Sequence, residues 1–131
     1  MRRYLYALLG LSLCASLSGC YTTSVGGGQS AMAGTYSYLT RDLDVIYGVP
    51  LADVWPRALA AVESLQLHID RQYIDGLGGE IVARRADGTP VQVLLKPKGD
   101  YSTSVSVRMG YFGDREQSER IQRSIRKQLG V

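Results

Sequence analysis

The sequence predicts an α+β domain, an antiparallel sheet of about five strands with two helices packed on one face, in the order β-α-β-β-β-β-α. Three observations lead there. Several short segments alternate apolar and polar residues with the period of two that half-buries a strand, two segments repeat apolar residues at three and four, and the joints carry Gly, Asp and Pro.

From Thr35 to Tyr47, Ser37, Leu39, Arg41, Leu43 and Val45 alternate with Tyr36, Tyr38, Thr40 and Asp42, and the Tyr content suits a strand. Leu51, Val54, Trp55, Ala58, Val62 and Leu65 then mark one face of an amphipathic helix, with the helix formers Leu59, Ala60 and Ala61 between them. Pro56 decides its start. With Asp53 as N-cap the proline falls in the first turn, where its missing N–H is harmless, whereas a start at Leu51 predicts a kink. A meander follows: Leu67 to Tyr73, Gly79 to Arg85, Pro90 to Lys96 and Ser102 to Met109, joined by Asp75-Gly76-Leu77-Gly78, Ala86-Asp87-Gly88-Thr89 and Pro97-Lys98-Gly99-Asp100. In the last two strands Val91, Val93 and Leu95, then Thr103, Val105, Val107 and Met109, lie on one dry face. Asp114 caps the final helix with Gln117 three residues on, and Ile121, Ile125 and Leu129 form a single stripe suited to lying on a sheet.

The first nineteen residues are of another kind. Met1-Arg2-Arg3 is a charged start, Tyr4 to Leu17 is an apolar run, and small residues follow, the pattern of an export signal. The run has 14 residues, short of the ~20 a membrane-crossing helix needs. Leu17-Ser18-Gly19-Cys20 resembles the lipobox of bacterial lipoproteins. That resemblance implies cleavage before Cys20 and lipidation of its sulfur and new amino group, and two or more acyl chains at ~0.8 kcal/mol per methylene anchor stably. It also implies sorting: an Asp after the cysteine retains such proteins in the inner membrane of enteric bacteria, and here the residue is Tyr21, which favours the outer membrane. Three regions are therefore expected: residues 1–19 as signal peptide, 20–34 as a Gly- and Ser-rich flexible tether, and 35–131 as one domain. A coil of that length has an end-to-end distance on the order of 20 Å.

Cleavage alters what composition means. The chain of 131 residues carries a formal charge of +3, but Arg2 and Arg3 leave with the signal and the rest is close to neutral, so basicity no longer points to nucleic acid. Cys14 leaves too and Cys20 is consumed by lipid, which removes disulfides, Cys-based metal sites and a thiol nucleophile.

Catalytic patterns are absent from the sequence: no Gly-x-Ser-x-Gly, no phosphate loop, no His-Glu-x-x-His. Gly26-Gly27-Gly28 opens no helix. The lone His68 sits between Leu67 and Ile69 on the opposite, polar face and has no partner that sequence can name. Asp75, Asp87, Asp100 and Asp114 stand in turns and caps, where such side chains bond backbone N–H groups. The last helix is basic, with Arg115, Arg120, Arg123, Arg126 and Lys127, but Glu116 and Glu119 interrupt it as expected of a solvated face.

The stretch Ala86-Asp-Gly-Thr-Pro-Val91, Lys96-Pro-Lys-Gly-Asp100 and Val107-Arg-Met-Gly-Tyr-Phe-Gly-Asp114 is similar to a family of short bacterial lipoproteins known as a domain of unknown function. The resemblance runs from Thr35 to the C-terminus and implies an envelope lipoprotein without lending an activity or site residues. Physically, Gly110 and Gly113 allow a sharp exit from the last strand, and Phe112 is expected to pack beneath it as a staple against the helix. The expectation is thus a lipoprotein on the periplasmic side of the outer membrane, held through Cys20. It is expected to be an interaction or accessory module, not an enzyme, with no cofactor, metal or nucleic-acid partner and with room for a protein partner in the envelope. The alternative is a binder of lipid or glycan using Tyr-bearing strands and the basic helix, which requires a partly apolar pocket of at least ~300 Å³.

Overall fold

A computed structural model describes residues 34–131; the signal peptide, Cys20 and the tether expected from the sequence lie outside the described residues. The elements are β1 (Thr35–Ser37), β2 (Asp42–Tyr47), α1 (Leu51–Ser64), β3 (His68–Asp75), β4 (Gly78–Arg84), β5 (Pro90–Pro97), β6 (Thr103–Met109) and α2 (Arg115–Leu129). They form one antiparallel six-stranded sheet in the order β1-β2-β6-β5-β4-β3. The α+β class and the two helices on one face are as the sequence predicts. The sixth strand comes from the first segment. Thr35 to Tyr47 is two strands, because Arg41 turns left-handed (φ 65°) and folds Thr35 back onto Asp44. No Gly or Pro marks that turn, so the alternation runs through it unbroken.

Alternation places Leu43, Val45 and Tyr47, then Ile81 and Ala83, Val91, Val93 and Leu95, and Val105, Val107 and Met109 on the buried face. Helix α1 lies over β3, β4 and β5, α2 over β2 and β6, and the two helices pack together. Val54, Ala58, Ala61 and Val62 of α1 and Ile121 and Ile125 of α2 complete the core. Each buried Val, Leu or Ile side chain contributes about 1.5–3 kcal/mol relative to exposure, which is how a domain of this size holds together.

Helix α1 starts at Leu51, with Pro50 as its N-cap, and not after Asp53. The Pro50 carbonyl receives both the Asp53 and the Val54 N–H at 3.0 Å. Pro56 and Ala52, whose carbonyl the proline nitrogen leaves unserved, are on the exposed side of the helix, where that carbonyl is open to solvent. Asp53 instead occupies the first turn, favourably placed against the helix dipole.

A polar side chain sits at the centre of the core. Gln122 donates from Nε2 to the carbonyls of Val105 (2.8 Å) and Leu43 (3.0 Å), and its Oε1 accepts from the Tyr47 hydroxyl at 2.8 Å. This amide ties α2 to β2 and β6 in one register. Sequence periodicity gives it no signal, since Gln122 is one step off the apolar stripe of Ile121 and Ile125.

Among the described residues, the other face of the sheet carries no helix. Across it run Asp42 and Arg108, paired at 2.8 and 3.1 Å, Asp44 accepting from Ser106, and Glu80 accepting from Gln92 at 2.7 Å. A bulge between Ile69 and Arg71 lets the edge strand β3 bring Arg71 opposite Val82 and Tyr73 opposite Glu80.

Candidate functional site

The functional surface is built at the end of the sheet where the β1–β2 turn meets the β6–α2 loop. In the turn, Arg41 donates its N–H to Ser37 O (2.7 Å) and Thr40 donates to Ser37 Oγ (3.3 Å). This closure leaves Tyr38 and Leu39 outside, 77% and 96% exposed. In the loop, Gly110 and Gly113 both take positive φ, and Asp114 accepts from Gln117 N at 3.0 Å to start α2. Between the two glycines Tyr111 and Phe112 are forced outward.

Phe112 is 84% exposed and Tyr111 79%. The expected packing of Phe112 beneath the strand therefore does not occur. Gly110 and Gly113 are both left-handed, Met109 takes the buried position at the end of β6, and the Phe112 ring stands against the Arg41 guanidinium instead.

Arg41 joins the two loops. Its Nη1 donates to Tyr111 O at 2.8 Å, and its guanidinium stands 5.7 Å from the centre of the Phe112 ring, within cation–π range. Arg115 lies 6.0 Å from the Tyr36 ring centre, and Tyr36 meets Tyr38 edge to face with ring centres 5.0 Å apart. Glu119 at 2.9 Å, and after it the Tyr38 hydroxyl, hold the Arg115 guanidinium above its ordinary value. Gly113 permits the contact: a Cβ there would come within 2.6 Å of Arg41 Cβ and 2.7 Å of the Tyr36 hydroxyl. The Gly-x-Phe-Gly-Asp stretch thus fixes an outward-facing aromatic cluster, with rings held in place yet left to contact something else.

Tyr111 also borders a groove of about 360 Å³ on the open sheet face, lined by Arg71, Glu80, Val82, Gln92 and Arg108. A second, more polar groove of about 410 Å³ lies further along that face between Asp44, Ile46, Lys96 and Ser104. Arg123 and Arg126 of the basic helix line a third space of about 250 Å³ beside Leu43 and Gln122, on the opposite side of the sheet. The tyrosines of the β1–β2 turn and the basic helix therefore meet at Arg115, which stands beside Tyr36 and Tyr38.

The remaining sequence candidates fall into structural roles. Asp75 Oδ1 accepts from Leu77 N (2.8 Å) and Gly78 N (3.1 Å), and Asp87 Oδ1 accepts from Thr89 N (3.0 Å). Asp114 caps α2; Asp100 is exposed in its turn. His68 is exposed, with Nε2 3.6 Å from Asp70, a carboxylate already held by Arg84 at 2.7 and 2.9 Å. Among the described residues no group of three His, Cys, Asp or Glu is arranged to hold a metal, and no helix is long and apolar enough to cross a membrane.

Of these positions, sequence reading located the Gly110–Asp114 stretch and missed Arg41, whose role depends on a turn with no turn signature. None of the curated proteins compared with the chain matches it. The family described as "Protein of unknown function (DUF3568)" matches residues 3–128, and the chain belongs to that family.

Proposed function

We propose that this protein is a lipoprotein of the bacterial envelope, cut before Cys20 and lipid-anchored there. Its domain acts as a non-catalytic interaction module on the periplasmic side of the outer membrane. The observation that carries the interaction role is the set of Tyr38, Leu39, Tyr111 and Phe112, large side chains exposed on two loops that Arg41 joins through Tyr111 O and the Phe112 ring. Exposed apolar patches of this kind mark contact surfaces. The anchor is supported by the Arg2-Arg3 start, the apolar run and Leu17-Ser18-Gly19-Cys20, and the outer-membrane address by Tyr21.

Labelling cells with radioactive fatty acid tests the anchor: wild type should be labelled and Cys20→Ser should not, and equal labelling overturns it. Membrane fractionation then separates inner from outer membrane. For the module, crosslinking in cells should trap a contact that Phe112→Ala with Leu39→Ala abolishes; unchanged crosslinking would remove the cluster from the role.

A second reading is favoured by the groove beside Tyr111. At about 360 Å³ and with Val82 in its lining, it meets the ~300 Å³ lower bound for a small-ligand site. Titrating lipid or glycan fragments while following backbone resonances of Val82 and Gln92 tests this, and silence at those positions removes it.

A further inference from the structure

We infer that the aromatic end of the domain lies on the bilayer itself, so that the protein holds the membrane at two points, the acyl chains on Cys20 and the tip formed by Tyr38, Leu39, Tyr111 and Phe112. The inference rests on the lipid anchor proposed above and adds an orientation: the turn-bearing end faces the lipid, and the open sheet face stands across the membrane surface, available to other contacts.

Chain length and direction are the first argument. Residues Cys20 to Ala33 number fourteen, and at most about 3.6 Å per residue they span no more than roughly 50 Å. The chain joins the sheet at Gly34 and runs as β1 directly toward the tip, with Leu39 five residues on, a separation of roughly 15 Å at about 3.3 Å per residue. The tip therefore lies well within reach of the surface that holds the acyl chains.

Composition is the second. Tyrosines and other amphipathic rings prefer the head-group layer, where the ring is half dry and the hydroxyl wet. Tyr38 and Tyr111 present that chemistry, and Leu39 and Phe112 supply the purely apolar contact. Charge is the third. Of the carboxylates near the tip, Asp42 is paired with Arg108 and Glu119 with Arg115, Asp114 caps α2 and Glu116 stands exposed, while Arg41, held by a backbone carbonyl and a ring, offers its positive charge to anionic head groups. The opposite end also exposes Tyr73, Ile74, Leu77 and Tyr101, with Tyr73 bonded to Asp75, but among the described residues both arginine–ring contacts are at the tip.

The chain has a single tryptophan, Trp55, which makes a direct test available. Phe112→Trp is placed in a Trp55→Phe background as the tip probe, with Tyr101→Trp in the same background as the control at the far end. Both full-length chains are expressed, processed and purified, then reconstituted in vesicles of phosphatidylethanolamine and phosphatidylglycerol. The expected result is a blue-shifted emission from the tip probe that loses at least half its intensity to brominated lipid, with the control emission unaffected. A chain that floats with the vesicles while the tip probe stays red and unquenched overturns the inference and leaves the anchor standing. A blue shift without bromolipid quenching means that protein, not lipid, covers the tip, and also overturns it. Mass measurement reports the anchor separately: without acyl groups on Cys20 the anchor reading fails, and quenching of the tip probe in that unacylated chain mixed with vesicles then decides the tip alone.

Discussion

The hydroxyl of Tyr47 on β2 donates to Oε1 of Gln122 on α2 at 2.8 Å, inside a core where both side chains are closed off from water. The same Gln122 amide donates to Leu43 and Val105, so its polar atoms are satisfied and helix and sheet are held in one register. Tyr47→Phe removes one partner and leaves Oε1 buried with no replacement. The expected loss is about 1–3 kcal/mol, the cost of an orphaned buried acceptor. Gln122→Leu should cost at least as much, because it removes the donors to two buried carbonyls and leaves the hydroxyl only its longer contact, 3.2 Å, to the backbone carbonyl at that position. Urea denaturation of each variant measures this, and a loss below the error of the method would show that water enters the site.

The same phenol sets a pH dependence. Burial pushes Tyr47 up to about 12, with the nearby Arg126 charge partly opposing. In the unfolded chain a tyrosine ionises near its ordinary value of about 10. Below that value the phenol is neutral in both states and its contribution is fully present. Between the two values the unfolded state loses its proton first, so stability falls as pH rises. Comparing wild type with Tyr47→Phe by urea denaturation along the alkaline limb, the gap between them should narrow as pH climbs from about 10 toward about 12. A constant gap would mean that Tyr47 ionises alike in both states.

The Tyr47–Gln122 pair also shows where sequence reading reaches its limit. Strands such as Val91–Leu95 and Val105–Met109 are legible because strict alternation has one physical solution, a sheet wet on one face. Gln122 is illegible because a polar residue beside an apolar stripe reads as solvated, and only the crossing of β2 and β6 beneath α2 supplies its partners. The surface divides the same way. The spacing of Gly110, Gly113 and Asp114 discloses a sharp turn into a capped helix, and the direction in which Phe112 points depends on φ values and on Arg41, seventy-one residues earlier in the chain.

Gly113 bears on that surface through both sterics and backbone. Its φ of 73° suits glycine, and a Cβ would intrude on Arg41 and Tyr36. Gly113→Ala should therefore destabilise by more than the about 1 kcal/mol of a left-handed alanine alone. Gly88→Ala is the control, at φ 89° with nothing within 4 Å, and should cost the backbone term only. If thermal denaturation finds the two variants equal, the packing of the β1–β2 turn against Gly113 is looser than the distances imply.

Gly79 and Trp55 give a prediction with its own optical readout. The Trp55 ring packs against Gly79, where an added Cβ would stand 2.6 Å from Cζ3 and 2.9 Å from Cε3. Gly79 is buried on β4 while Trp55 sits half-exposed on α1, so the ring seals the edge of the core between helix and sheet. Gly79→Ala must push the ring outward or lift α1, and overpacking of this kind costs about 1–3 kcal/mol. The two responses separate in the spectrum. An expelled ring gives a red-shifted emission and easier quenching by iodide, whereas a lifted helix keeps the emission and opens the Val54 and Ala58 side of the core, read as faster amide exchange at those residues. Because Trp55 is the sole tryptophan, the shift is assigned without ambiguity, and an unchanged spectrum with unchanged exchange and stability would refute the contact.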